Sequence, residues 1–352
     1  MPTMSEVDLK AEAKRRLLLK LSLFATAFAM VVVVLGAFTR LVDAGLGCPD
    51  WPGCYGHLTW PTTASEVEKA EALFPEAPVE HDKTWPEMVH RYFAGILGLI
   101  VLAILIIALR GPKISERSPT KLPVFLAIII VVQAAFGMWT VTLKLWPQVV
   151  TAHLLGGFMT LSLIWLMAQR CSRWHWQLES RALDKIKPLI LCALAVLIIQ
   201  IALGGWTTSN YAAMACPDLP TCHGEFWPEA DYVQGFNIFQ EVGPNYLGGQ
   251  LDNHARTAIH MAHRIGALLV TCVLLVLALR LWFSKIAEAQ RMSVVLVGVL
   301  ALQVVLGLSN VYWVLPLPVA VAHNAVGAIL LLVLVTLCHR IYTAKVTIPL
   351  HR

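Results

Sequence analysis

Apolar residues in this chain come in long unbroken runs. Eight stretches, near residues 18–39, 88–109, 122–143, 149–169, 188–208, 257–282, 292–314 and 317–339, are each close to the roughly 20 apolar residues that a helix needs to cross a bilayer. A strand of a membrane barrel would be shorter and would alternate, so the pattern predicts helices. The first run is longer than the apolar segment of a typical secretory signal, and no small-residue cleavage site follows it. It reads as a retained helix. Composition agrees: 57% of residues are hydrophobic and only 14% charged, where a soluble domain carries about 25% charged.

Charge then orients the spans. Lys10, Lys14, Arg15, Arg16 and Lys20 precede the first one. Arg110, Lys113, Arg117, Lys121, Arg170, Arg173, Arg181, Lys185, Lys187, Arg280, Lys285, Arg291, Arg340, Lys345 and Arg352 fall on the same side if eight spans are threaded in turn. By the positive-inside rule this face, with both termini, is cytoplasmic, and the opposite loops are periplasmic in a cell inner membrane. Those loops hold most of the acids, among them Glu66, Glu68, Glu71, Glu76, Glu80 and Asp82. The net charge of +5 follows from topology and gives no reason to expect nucleic acid.

The chain also repeats itself. Leu35-Gly36-Ala37-Phe38-Thr39 leads to Cys48-Pro49-Asp50-Trp51-Pro52-Gly53-Cys54, and Leu203-Gly204-Gly205-Trp206-Thr207 leads to Cys216-Pro217-Asp218-Leu219-Pro220-Thr221-Cys222. Met88-Val89-His90-Arg91 returns as Met261-Ala262-His263-Arg264. Gln133 with Gly137 returns as Gln303 with Gly307, and Ala152-His153 as Ala322-His323. Four landmarks recur in one order at an offset near 170 residues. The expected fold is an all-α membrane protein of eight transmembrane helices, arranged as two tandem four-helix bundles related by a pseudo-twofold axis along the membrane normal. Residues 1–175 and 176–352 would be its two halves.

Each half carries two histidines near the starts of two inward-running helices: His90 and His153, then His263 and His323. A lone histidine at a helix end is ordinarily interfacial. Ionisable groups inside membrane helices are costly and default to function, and four in repeat-related pairs point to ligands. The second and fourth helices of a bundle are diagonal, and a haem fits between them with an imidazole on each face. Two ligands per half fall short of a tetrahedral zinc site. Gly156, Gly157, Gly266, Gly327, Ala94 and Gly95 would give the ring room. Arg91 and Arg264 follow two of the histidines and would pair with haem propionates or reach lipid phosphates; their repetition favours propionates. His260, one turn before His263, is either a supporting partner or an alternative ligand. His57, His81, His223 and His254 fall in outer loops, and His175, His339 and His351 on the cytoplasmic side.

The halves differ at one telling position. Glu87 lies three residues before His90, on the same helix face, where the second half has His260. A carboxylate beside one haem only suggests chemistry in the first half and a fixed cofactor in the second; a helix N-terminal acid would be the plain reading. Of the eight cysteines, Cys48 with Cys54 and Cys216 with Cys222 occupy matching outer loops, which favours two disulfides, with a redox role open for the first pair. Cys171, Cys192, Cys272 and Cys338 read as packing residues.

On these residues the chain resembles the heme A synthase family, and on Phe236-Asn237-Ile238-Phe239-Gln240-Glu241-Val242-Gly243-Pro244-Asn245-Tyr246 its proteobacterial branch. The resemblance implies heme O as substrate and oxidation of its C8 methyl to a formyl group, giving heme A for cytochrome c oxidase. It implies haem b on His263 and His323, the substrate haem on His90 and His153, and Glu87 as the group beside the reacting methyl. It makes heme O synthase and oxidase assembly factors plausible partners, beside membrane lipid, and leaves homo-oligomers open. Two other classes compete: a di-haem electron-transfer cytochrome, and a haem transporter or chaperone without chemistry.

Overall fold

A computed structural model describes residues 6–111, 121–172, 175–178 and 182–346. The basic residues Lys113, Arg117, Arg173, Arg181 and Arg352, and His351, lie outside the described residues. Among the described residues, eight helices are long and apolar enough to cross a membrane. In chain order they are α1 (Glu6–Leu41), α3 (His81–Leu109), α4 (Lys121–Thr142), α5 (Pro147–Cys171), α6 (Lys187–Ser209), α8 (Asn253–Trp282), α9 (Ala287–Tyr312) and α10 (Leu317–Tyr342), with two short helices, α2 (Ala64–Leu73) and α7 (Tyr232–Gly235), in the long loops. All eight expected spans are present, and the protein is a multi-pass membrane protein. The helices run past the apolar stretches at several ends because capping fixes them there. Asp252, for example, accepts the Ala255 N–H (2.8 Å) and starts α8 before its apolar run. Proline in the first turn opens α5, α6 and α10, where its missing N–H has no partner to lose.

Packing forms two rings. In the first, α1 touches α3, α3 touches α4, α4 touches α5, and α5 returns to α1. In the second, α6, α8, α9 and α10 follow the same order. The diagonal helices, α3 with α5 and α8 with α10, make at most marginal backbone contact among the described residues. The rings meet where α5 and α10 contact, flanked by α1 on α10 and α5 on α6.

The bundle is solid at one end and hollow at the other. Buried Leu18, Ile104, Leu126, Ile164, Met167, Ile190, Leu274, Leu296 and Leu334 belong to one apolar core at the end that carries the basic residues. There the Lys14 ammonium donates to the Ala108 carbonyl (2.8 Å), tying α1 to the end of α3. The outward surface of the mid-helices is apolar, with Leu99, Val131, Ile199 and Leu268 each at least 60% exposed, as a lipid-facing surface requires.

The opposite end carries the long loops, and here the two halves build the same local geometry. Cys48–Cys54 and Cys216–Cys222 are both disulfides. Asp50 accepts the N–H groups of Tyr55 (2.6 Å) and Gly56 (2.8 Å), and Asp218 those of His223 (2.7 Å) and Gly224 (3.0 Å). Tyr55 and His223 both take positive φ to make this turn. The Thr221 hydroxyl and then these backbone donors hold the Asp218 carboxyl down at about 2. This loop contact is therefore present above the ordinary aspartate range and is lost only as pH falls towards 2. Closing a loop of this size constrains the unfolded chain by about 2 kcal/mol. Cys216→Ser should lower stability by about that amount, seen as a lower thermal midpoint of the detergent-solubilised protein; an unchanged midpoint would contradict it.

Candidate functional site

One cavity of about 1530 Å³ occupies the hollow end and reaches into both rings. It is larger than a typical small-molecule site of about 300–1000 Å³. His90, His153, His263 and His323 all line it, as do Glu87, His260, Arg91 and Arg264. The sequence reading therefore brought together residues that the fold does place in one space.

His90 on α3 and His153 on α5 face each other across the first ring, with ring centres 6.5 Å apart and planes at 85°. A metal–imidazole bond is about 2 Å, and a ring centre lies about 1.1 Å behind its nitrogen, so an axially held metal separates two ring centres by about 6 Å. The observed spacing is close to that. The Nδ1 atoms of His90, His153 and His323 are buried without a hydrogen-bond partner among the described residues. Buried polar atoms of this kind need a reason, and a ligand is one. The donor set and spacing of the first pair fit a haem between α3 and α5, and His263 and His323 line the same cavity from α8 and α10.

Each imidazole rests on a glycine of the preceding helix. A Cβ added at Gly36 would lie 2.9 Å from His90, at Gly137 3.5 Å from His153, at Gly204 3.3 Å from His263, and at Gly307 3.0 Å from His323. At Gly36, Gly204 and Gly307 the repeat motif thus has a steric cause, since a side chain would crowd the ring, whereas at Gly137 a Cβ would make only ordinary van der Waals contact with His153. The glycines next to the histidines in sequence act differently. Gly156, Gly266 and Gly327 receive the amide ends of Gln133, Gln200 and Gln303, while Gly95 and Gly157 open onto the cavity. Gly307→Val should tilt His323 away and cut haem retention by about 10–100-fold, the usual cost of losing a ligand's supporting contacts. The haem-to-protein ratio measures this, with Gly298→Ala, which meets nothing within 4 Å and does not line the cavity, as the control that should not change.

Glu87 and His260 occupy matching places and do matching work. Each is only 4% exposed. The Cys48 N–H donates to Glu87 Oε2 (2.9 Å), and the Cys216 N–H donates to His260 Nδ1 (3.1 Å). His260 Nδ1 is thus the acceptor nitrogen, so Nε2 carries the proton. Arg264 Nε, 3.3 Å from Nε2, is then a contact and not a second hydrogen bond. His260 holds the disulfide loop through a nitrogen that cannot simultaneously bind a metal.

The arginines after the histidines also hold these loops. Arg91 forms an ion pair with Glu87 and donates through Nη1 to the carbonyls of Asp50 (3.0 Å) and Gly53 (2.6 Å). Arg264 donates to the carbonyls of Thr221 (2.8 Å) and Cys216 (2.7 Å). The sequence expectation of propionate contacts did not include this clamping role. Arg40, which the sequence reading passed over, also lines the cavity.

Comparison with known proteins identifies the family. The model of the COX15-CtaA family, described as cytochrome oxidase assembly protein, matches residues 20–335. The chain belongs to this family. A relative named heme A synthase from Shewanella oneidensis is 49% identical over 310 residues, covering 88% of this chain and 92% of that protein. Heme A synthases from Caulobacter vibrioides (26% identical; 90% and 93% covered) and Allorhizobium ampelinum (28%; 94% and 92%) are more distant relatives across nearly the same length. The family match begins at residue 20 within α1 and ends at residue 335 within α10, so it takes in both histidine pairs, Glu87 and both disulfide loops.

Proposed function

We propose that the protein is a heme A synthase, an oxidoreductase that converts the C8 methyl of heme O to a formyl group. The observation that carries this is the unequal equipment of two equal histidine pairs. Both pairs line one cavity, but only the first has a carboxylate, Glu87, on the same helix face one turn away. The likeness to heme A synthases supports the same reading.

The first half, residues 1–175, holds substrate haem between His90 and His153. The second, residues 176–352, holds haem b between His263 and His323, and that haem supplies a one-electron redox centre. The halves are related by a twofold axis along the membrane normal, as the matched ring contacts suggest. Gly95 and Gly157 of the first site face open space, which suits a ligand that enters and leaves. Gln133 lies on Gly156 in the first site as Gln200 and Gln303 lie on Gly266 and Gly327 in the second.

Converting a methyl to a formyl group with water as the oxygen source would release four electrons, to an acceptor outside this chain, and four protons, and Glu87 is the buried carboxylate placed to take a proton. Arg91 and the Cys48 N–H fix its two oxygens, so the carboxylate stays aimed while the disulfide loop closes the end of the cavity. The basic end faces the cytoplasm and the disulfide loops face the periplasm, in the cell inner membrane. Enzymes that make heme O and proteins that assemble the oxidase are the expected neighbours.

Haems extracted from the purified protein, identified by chromatography and mass, test the proposal. Haem b together with heme O, oxidised intermediates or heme A is the expected content. Haem b alone, even after heme O is supplied, would transfer the protein to the electron-transfer cytochromes.

A further inference from the structure

The cations around the cavity are not equally engaged. Arg91 is neutralised through Nη2 by Glu87, and its Nη1 and both Nη atoms of Arg264 donate to their own loops. Arg40 is different. It lies one helical turn beyond Gly36, the glycine beneath the His90 ring, and so on the same face of α1. Its side chain is 13% exposed and lines the cavity.

A guanidinium has five N–H donors. Arg40 Nη1 donates to the Tyr211 hydroxyl (2.8 Å) and to Asp43 Oδ1 (3.3 Å), and Nη2 donates to the Thr208 carbonyl (2.7 Å). Nε is buried and has no partner among the described residues. Nη2 has a second hydrogen. Nε and Nη2 share one edge of the guanidinium, the fork that matches both oxygens of a carboxylate. The Tyr211 ring, 4.1 Å from the guanidinium carbon, fixes the plane of the fork. Asp43 is 49% exposed, so water screens much of its charge and leaves a cation inside the cavity wall.

The position is also singular. The repeat counterpart of Arg40 is Thr208, and that of Asp43 is Tyr211. Arg40 therefore reaches across the junction of the halves to the residue that replaces it, and Tyr211 returns a bond to Asp43 (2.7 Å). One half supplies the cation and the other its brace.

We propose that Arg40 is a carboxylate anchor: its Nε–Nη2 edge binds a propionate of the haem held by the first histidine pair. The proposal rests on the haem reading above. It gives the first site a cationic handle that the apolar wall lacks, and it sets the ring's orientation relative to Glu87.

The test uses the full chain purified in detergent with its second-half haem retained, titrated with iron protoporphyrin IX and with its dimethyl ester. The ester keeps ring and iron but has no carboxylate. The unmodified protein should prefer the free acid by about ten- to a hundredfold, the usual worth of a hydrogen bond to a charged group. Arg40→Gln should abolish that preference, and Arg40→Lys should retain part of it. Tyr211→Phe, which removes one brace and keeps the fork, should retain most. Equal weakening of acid and ester in Arg40→Gln would make Arg40 a strut between halves and overturn the proposal. An unchanged preference would overturn it too. If Arg40→Gln does not fold, a full preference in Arg40→Lys counts against the fork. Failure of the unmodified protein to bind either ring would instead remove the haem reading, and this inference with it.

Discussion

Protein purified with His263→Ala should lack the haem of its second half. Loss of supporting contacts alone lowers metal affinity about 10–100-fold, and loss of the ligand itself should cost at least on the order of a hundredfold. His263 has no substitute nearby. His260, one turn earlier, uses Nδ1 to accept the Cys216 N–H, and its other nitrogen lies against Arg264. Gly204 has shaped the facing helix to the His263 ring alone. The haem-to-protein ratio should fall from two per chain towards one when heme O is supplied. Full occupancy by haem b in this variant would contradict the ligand assignment, and rescue through His260 would show as an altered low-spin spectrum.

Residues whose role depends on their own helix were legible in the sequence. Run length gave all eight spans, because in a bilayer a helix must satisfy its own backbone and the apolar stretch must match the membrane. Cys48-Pro49-Asp50 and Cys216-Pro217-Asp218 announced two loops that fold alike. The pairing of Glu87 with His260 was also visible, since both precede a histidine by three residues. What escaped was contact between helices distant in sequence. Ala94 and Gly95 were expected to give a haem ring room, but nothing near His90 in sequence announced what leaves space for its imidazole. The space comes from Gly36, on a different helix. Arg40 escaped for the same reason. In sequence it is an arginine at the end of a span, and nothing local marks it apart from an interfacial residue. Its partners, Thr208 and Tyr211, lie in the other half.

This division explains why the repeat carries more information than any single motif. Two copies of a bundle should share whatever both need to fold and to hold a planar group. They do share the glycine beneath each ring, the acidic turn that shapes each disulfide loop, and an arginine clamp on that loop. Positions where the copies differ are then free of that common duty. Glu87 against His260, Arg40 against Thr208, and Val32 against Gln200 are such positions, and all of them line the one cavity. Two of these differences place a charged group in the first half and a neutral one in the second.

Glu87→Gln should keep haem bound and lower heme A formation by about 10²–10⁴-fold, the span attributed to a placed general base. The substitution suits the question because the side chain keeps its shape. A glutamine oxygen can still accept the Cys48 N–H that Glu87 Oε2 accepts at 2.9 Å, so the loop should stay closed. What is lost is the charge facing Arg91 and the capacity to take a proton. His260 shows that a neutral group satisfies the same backbone donor, since it does so in the second half at 3.1 Å. The loop therefore does not need a carboxylate, and a carboxylate kept there at 4% exposure needs another purpose. Heme O and heme A extracted from cells carrying the variant measure the effect. Unchanged heme A output would remove Glu87 from the chemistry. Loss of haem together with activity would reduce it to a fastening of the loop. Accumulated heme O on a fully loaded protein is the result that assigns Glu87 to the methyl oxidation itself.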